Sequence, residues 1–244
     1  LNLVIDIGNS RSKAAIFSRQ EMVQLFVFEH FTANELDALM KEFPAIDKAI
    51  LSAVSSVDQS LPGYLKTLFP DFIELSYLTP MPLRNSYKTP ETLGIDRLAA
   101  AVGAQVLFPG KDLLVLDMGT AITFDLIEAN GTFLGGNISP GLRSRFRALH
   151  DYTEKLPLVT VSDQWPPIGQ TTEEAIRSGV ISGIILEMDG MIDLLSKKYP
   201  GIEIVLTGGD APFFERRLKN HIFVKFEITL IGLNRILEYN VEKQ

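Results

Sequence analysis

The chain has 244 residues, 46% of them hydrophobic, and carries 23 Lys and Arg against 30 Asp and Glu for a net charge of −7. That composition supplies a sizeable core and excludes a disordered chain; the lack of a long basic run leaves no footprint for nucleic acid. Cysteine is absent, which excludes disulfides, thiolate metal sites and cysteine nucleophiles. No stretch reaches the roughly 18 uninterrupted apolar residues of a membrane span, and no basic start with an apolar stretch and cleavage site stands at residue 1. The expectation is a cytoplasmic protein with no membrane partner.

Residues 1–5 form an apolar run that reads as a buried strand, with residues 13–18 as its hairpin partner across a turn at 8–12. Residues 24–29 alternate weakly, a third strand. Thr32 stands where it can cap a helix to about residue 43, with Glu35 at the capping-box position. Residues 49–54 read as strand, 61–68 as helix and 72–75 as strand. Pro80, Pro82 and Pro90 punctuate a loop. Thr89 before Pro90 reads as a helix start, because proline is tolerated at the first helical position, and an alanine-rich helix follows to about residue 108.

The second part of the chain opens as the first does. Residues 113–116 are an apolar strand, Asp117 ends it, Gly119 and Thr120 turn, and residues 122–127 return. Asn130-Gly131 is a hairpin signal, followed by a strand over 133–138 and a helix carrying Arg143, Arg145 and Arg147. A long helix is expected over 172–198, capped by Thr172, with Glu173 and Glu174 in its first turn. A strand over 202–206 runs into Gly208-Gly209, and a helix over 228–239 closes the chain. Strand, D-x-G turn and strand thus occur twice, at Asp6 and at Asp117. Such internal repetition predicts two similar α/β halves, 1–110 and 111–244, with a ligand cleft between them.

Neither G-x-x-x-x-G-K-[ST] nor G-x-G-x-x-G is present, so the chain is neither a P-loop nor a Rossmann protein by sequence. The paired D-x-G turns carry the chemistry instead. Gly8 and Gly119 let backbone amides approach an anion, and Asn9, Ser10 and Thr120 add short donors. A carboxylate beside a phosphate makes sense when a cation intervenes, since magnesium binds through one or two carboxylates, water and substrate phosphates. The paired turns therefore point to a metal–nucleotide complex.

Asp96 and Arg97 fall early in a helix, beside Gly94. Two readings are open for Asp96: it complements the helix dipole, or it orients an alcohol and accepts its proton during phosphoryl transfer. Arg97 could hold a substrate carboxylate in a forked geometry. His30, His150 and His221 have no ligand-like spacing, and Trp165 reads as loop packing. The three arginines at 143, 145 and 147 read as a solvated or subunit-contact face. Gly179 and Gly183, four apart on the long helix, read as a close-packing stripe against another element, a helix of this chain or of a second subunit.

Seven segments in order, "DIGNS", "LGIDR", "LDMGTAITFD", "GGNISPGL", "TEKLP", "GQTTEEAIRSG" and "TGGD", resemble the type III pantothenate kinases of the acetate/sugar kinase–Hsp70–actin superfamily, over nearly the whole chain. The resemblance implies an α/β fold of two duplicated ribonuclease H-like halves, the actin-like ATPase fold, with a nucleotide cleft. It implies ATP-dependent phosphorylation of the primary hydroxyl of pantothenate to 4'-phosphopantothenate, the first step of coenzyme A biosynthesis. By the same resemblance Asp6, Ile7, Gly8, Asn9, Ser10, Arg11, Ser12, Lys13 and Thr120 contact ATP, and Asp96 is the proton acceptor. Tyr87, Gly94, Ile95, Asp96, Arg97 and Thr172 line the pantothenate site. Asp117 corresponds to the ligand of a monovalent cation, potassium or ammonium, beside ATP with Mg²⁺. The family is dimeric, with the substrate site completed across the subunit interface. The chain departs from the family in carrying Ser10 where threonine is usual, which keeps the hydroxyl, and in the basic character of residues 11–13. The competing readings are a superfamily kinase acting on another small acceptor, a non-catalytic regulatory relative, and an actin-like filament protein.

Overall fold

The computed structural model describes residues 1–9, 11–53 and 60–243. They form two compact units: residues 1–110, 127–135 and 227–244, and residues 111–126 and 136–226. The units are not two continuous stretches cut at residue 110, because the end of the chain and a short segment at 127–135 belong with the first.

The first unit is built on strands β1 (Asn2–Ile7), β2 (Ser12–Ser18), β3 (Glu21–Phe28), β4 (Lys48–Ala53) and β5 (Asp71–Glu74). They lie in the order β3-β2-β1-β4-β5. β1 pairs antiparallel with β2 and β2 with β3, whereas β4 runs parallel to β1 and β5 parallel to β4. Because side chains alternate across a strand, Leu3, Ile5 and Ile7 face one side. There they pack with Leu36 and Leu39 of α1 (Ala33–Glu42) and Leu61 and Leu65 of α2 (Ser60–Leu68). Val4, Ala15, Phe17 and Ile50 face the other side, against α3 (Ile95–Leu107) and the last helix, residues 228–241. Buried on both faces, β1 is apolar except at Asn2 and Asp6, as a central strand should be.

The helices α1 and α3 start for different reasons. Thr32 caps α1 and closes the expected capping box with Glu35. The expected start at Thr89 does not hold: residues 90–92 make only a 3-10 turn, and Thr89 gives no side-chain cap. α3 begins at Ile95, with Gly94 as its N-cap. A two-residue strand that the sequence reading lacked, β6 (Arg84–Asn85), runs parallel to Thr132 and Phe133.

The second unit is built on β7 (Leu113–Met118), β10 (Glu203–Thr207), β11 (Phe223–Val224) and most of β8 (Ala121–Glu128) and β9 (Thr132–Pro140), ordered β11-β10-β7-β8-β9; the part of β9 that pairs with β6 belongs to the first unit. β10 is parallel to both β7 and β11. Leu114, Leu116, Met118 and Phe124 pack against Leu142 and Phe146 of α4 (Leu142–Asp151), Ile181, Ile184 and Met188 of α5 (Thr172–Lys198), and Phe214 of α6 (Ala211–Glu215). β11 and α6 are too short to leave a periodic signal and were not anticipated. The cap of α5 is Thr171, one residue before the expected Thr172; its hydroxyl accepts from the Glu174 amide and Glu174 reaches back. The closing helix is α7 (Ile228–Val241).

Within the first unit α7 crosses α3 at a point where neither helix has a side chain. A Cβ on Gly103 would stand 1.9 Å from the Ile228 carbonyl oxygen, and one on Gly232 would stand 1.8 Å from that of Ala99. The helices therefore meet backbone to backbone. Beside this crossing, Asn2 donates to Asn234 at 2.8 Å, and Asn234 donates to the Arg19 carbonyl at 2.7 Å, so these buried amides are satisfied.

Candidate active site

β1 delivers Asp6 to the head of a tight turn. Gly8 donates its amide to the Arg11 carbonyl at 3.1 Å, closing a loop in which Asn9 and Arg11 are exposed. Ser10, an expected phosphate contact, lies outside the described residues. Strand structure extends closer to the turn than expected: Ile7 pairs with Ser12, and both are buried. Ile7 packs its side chain into the core, which leaves only its backbone at the turn.

Asp6 is flanked by the sheet. Its register partners are Lys13 on β2 and Ser52 on β4. Burial pushes the Asp6 carboxyl up to about 6 from 3.8; the negative charge of Asp96 adds to this, and Lys13 and Ser52 oppose it. Ser52 is fully buried, and its hydroxyl has no partner at hydrogen-bond geometry among the described residues. Sequence reading passed over Ser52, although a serine inside the apolar run of residues 49–54 was a signal that one position faces something polar.

Asp96 is held by the start of α3. Its Oδ1 accepts from the amide of Arg97 at 2.9 Å. A Cβ on Gly94 would stand 2.6 Å from that same oxygen, so the glycine of the G-x-D-R segment leaves room for the aspartate to fold back over the helix end. Both readings of Asp96 are thus physically compatible: one oxygen satisfies the helix terminus, and the carboxylate stays half-buried beside Asp6. Arg97 is buried, and its guanidinium carbon stands 5.8 Å from the centre of the Tyr87 ring, a cation–π distance. The first unit therefore gathers Asp6, Lys13, Ser52 and Asp96, with Arg97 reaching Tyr87.

The second D-x-G turn is clamped from three sides. Gly119 donates to the Ala121 carbonyl at 3.0 Å, and the Thr120 carbonyl accepts from the Gly141 amide at 3.0 Å and from Ser144 Oγ at 2.6 Å. The Asp210 amide donates to the Met118 carbonyl at 3.0 Å. Gly208 has φ +93°, and a Cβ there would stand 2.4 Å from Asp117 Oδ1, so the turn after β10 needs glycine both for its backbone angle and for its approach to Asp117. Burial raises the Asp210 carboxyl while the charge of Arg143 lowers it. Arg143 thus lies near enough for its charge to act on Asp210, whereas Arg145 is tied to Glu187 and to the Pro140 carbonyl, and Arg147 pairs with Asp151 within its own helix. Thr172 is exposed at the first residue of α5. Trp165 packs in its loop, stacked on Phe213 and donating to Ser182 Oγ at 3.1 Å.

Among the described residues no group of three or more His, Asp or Glu is arranged to hold a metal by itself, and no helix is long and apolar enough to cross a membrane. A carboxylate that burial and a second carboxylate make costly to ionise, with a buried hydroxyl beside it, nonetheless suits a hydrated cation shared with phosphate oxygens.

The family model for type III pantothenate kinase matches residues 2–194. The chain belongs to the type III pantothenate kinase family. A protein named type III pantothenate kinase from Phocaeicola vulgatus is 48% identical over 240 residues, covering 98% of this chain and 99% of that protein. One of the same name from Bacteroides fragilis is 44% identical, with 98% of each covered. A solved structure from Campylobacter jejuni, of a conserved protein assigned to the Baf family of transcriptional activators, superposes with a TM-score of 0.62 at 26% identity, covering 98% of this chain and 99% of that one. A glucokinase from an Antarctic psychrotroph, 12% identical with 98% of each chain covered, gives a TM-score of 0.55 and shares the fold alone. The fold of this type III pantothenate kinase family member is accordingly that of the actin-like ATPases and sugar kinases, as the family resemblance implied.

Proposed function

We infer that the protein transfers the γ-phosphoryl group of ATP to the primary hydroxyl of pantothenate, giving 4'-phosphopantothenate, the first step of coenzyme A biosynthesis. Near-full-length relationship to proteins named type III pantothenate kinase carries this reading. Asp96, anchored at the start of α3 with Arg97 behind it, supports it chemically.

In the transfer, the pantothenate oxygen forms a bond to the γ-phosphorus as the bond to the β-phosphate oxygen breaks, and ADP leaves. Asp96 takes the hydroxyl proton through the oxygen that the helix terminus does not engage, and its fixed position supplies orientation before reaction. Arg97 and Tyr87 line the acceptor side with Gly94 and Ile95, and Thr172 adds a contact. The Gly8 turn offers amides to ATP phosphates, with Asn9, Ser10, Arg11, Ser12 and Lys13 around it, and Thr120 meets ATP at the second turn. Asp6, with Ser52 beside it, would hold Mg²⁺ through its hydration shell; when bound, the ion neutralises charge on the phosphates. Asp117 would hold potassium or ammonium.

A homodimer is part of the same reading. One side of α5 carries Gly179, Gly183, Leu186, Gly190 and Leu194; a Cβ at any of these glycines would meet nothing described within 4 Å beyond the adjoining turns of its own helix. Use of ATP places the work in the cytoplasm. A coupled ADP-release assay with pantothenate, run with potassium, with ammonium and with neither, tests the function. Pantothenate-dependent turnover that rises with the cation is expected. No such turnover under any of these conditions overturns the kinase reading in favour of a non-catalytic regulatory relative.

A further inference from the structure

Tyr87 is placed by residues far from it in sequence. β6 lies along β9, with Arg84 donating to the Gly131 carbonyl at 2.8 Å and Ser86 to the Phe133 carbonyl at 3.0 Å. The chain therefore brings Tyr87 out beside Gly135. Gly135 is buried with φ +120°, and a Cβ there would stand 3.3 Å from Cδ2 and 3.5 Å from Cε2 of the Tyr87 ring. Phe133 is fully buried, and its ring lies 6.4 Å from that of Tyr87, tilted by 51°. Arg97 stands 5.8 Å from the same ring. The Tyr87 amide is itself held, donating to Asn85 Oδ1 at 2.9 Å. The ring is thus bounded by a bare glycine, a buried aromatic and a cation.

We propose that Phe133 and Gly135 are positioning residues for the acceptor: together they hold the Tyr87 ring against Arg97, and through it they set the affinity for pantothenate. The inference rests on the reading of Tyr87 and Arg97 as acceptor-lining groups. Neither Phe133 nor Gly135 needs to touch the substrate. Their effect runs through the ring, because a methyl at 135 would press on it at 3.3 Å and push it away by a few tenths of an ångström, and loss of the Phe133 ring removes an aromatic contact of the favourable edge-tilted kind. The phosphate turn at Gly8 has no part in this contact, so ATP binding should be spared.

The test is steady-state kinetics of Gly135→Ala and Phe133→Leu, each alone and combined with Tyr87→Ala, with pantothenate and ATP varied separately. Each single variant is expected to raise KM for pantothenate about tenfold, with a smaller change in kcat and an ATP KM within about twofold of wild type. In the Tyr87→Ala background the same changes should lose their effect, the signature of residues acting through that ring. Equal shifts in both KM values, or an undiminished effect without the tyrosine, overturn the proposal. Should the positive φ at 135 keep Gly135→Ala from folding, Phe133→Leu decides by the same criteria. An active Tyr87→Ala enzyme with unchanged pantothenate KM instead removes Tyr87 from the acceptor site, and the inference falls with that reading. If Tyr87→Ala weakens pantothenate but neither neighbour does, the inference alone falls.

Discussion

The Asp6 carboxyl is lifted from 3.8 to about 6 by burial, and the charge of the Asp96 carboxylate nearby adds to the rise. One comes from the end of β1, the other from the first turn of α3. Two carboxylates kept together in a partly buried place work against folding, and such pairs cluster at functional sites.

That pair makes stability depend on pH. Asp6 binds a proton more tightly folded than unfolded, so its contribution favours the folded state below about pH 4. The contribution is lost as pH rises through about 6, where the ionised group costs up to about 3 kcal/mol. Asp6→Asn should therefore be more stable than wild type at pH 8, with the gap narrowing toward pH 4, while Mg²⁺-ATP binding is lost. Urea unfolding at pH 4, 6 and 8 measures this; a gap that stays constant with pH would remove the burial of Asp6 as its cause.

Asp96→Asn keeps the oxygen that accepts from the Arg97 amide, so α3 should start normally. It loses the ability to take a proton. ATP affinity is expected to hold while kcat drops by about 10²–10⁴-fold. Near-wild-type turnover would take Asp96 out of its role as proton acceptor.

The glycine crossing of α3 and α7 predicts opposite outcomes for similar substitutions. Gly232→Ala drives a methyl into the Ala99 carbonyl and should destabilise by about 3 kcal/mol or more, since backbone cannot yield as a side chain can. Gly63→Ala, on the exposed side of α2 with no atom within 4 Å, should stabilise by about 0.5–1 kcal/mol through helix propensity. Chemical denaturation of both variants compares them directly. Equal effects would contradict the backbone contact between the two helices.

Thr171 and Thr172 are adjacent and should separate cleanly. Thr171→Ala removes the capping hydroxyl of α5 and is expected to lose about 1 kcal/mol of stability. Thr172→Ala is expected to leave the melting temperature near wild type and to raise KM for pantothenate. Paired thermal and kinetic measurements suffice; a stability loss at 172 with none at 171 would reverse the assignment of the cap.

Much of this protein was legible locally. The apolar runs of residues 1–5 and 13–18, the Thr32–Glu35 capping box, the two D-x-G turns and the G-x-D-R segment are short-range patterns, and each depends on local side-chain character or on hydrogen bonds between residues a few positions apart. Where a local rule failed, a competing local contact explains it: the helix expected at Thr89 begins at Ile95, because Asp96 satisfies the end of α3 from within its own first turn. Only the tertiary structure decided what lies beside what. Parallel pairing of β1 with β4 sets Ser52 next to Asp6, and pairing of β6 with β9 brings Tyr87 onto Phe133 and Gly135. The closing helix leaves the part of the sequence it follows and packs on α3, through Gly103 and Gly232, in the first unit. No period in the sequence encodes these meetings, because a strand's pattern tells which face is apolar and not which strand will lie alongside it.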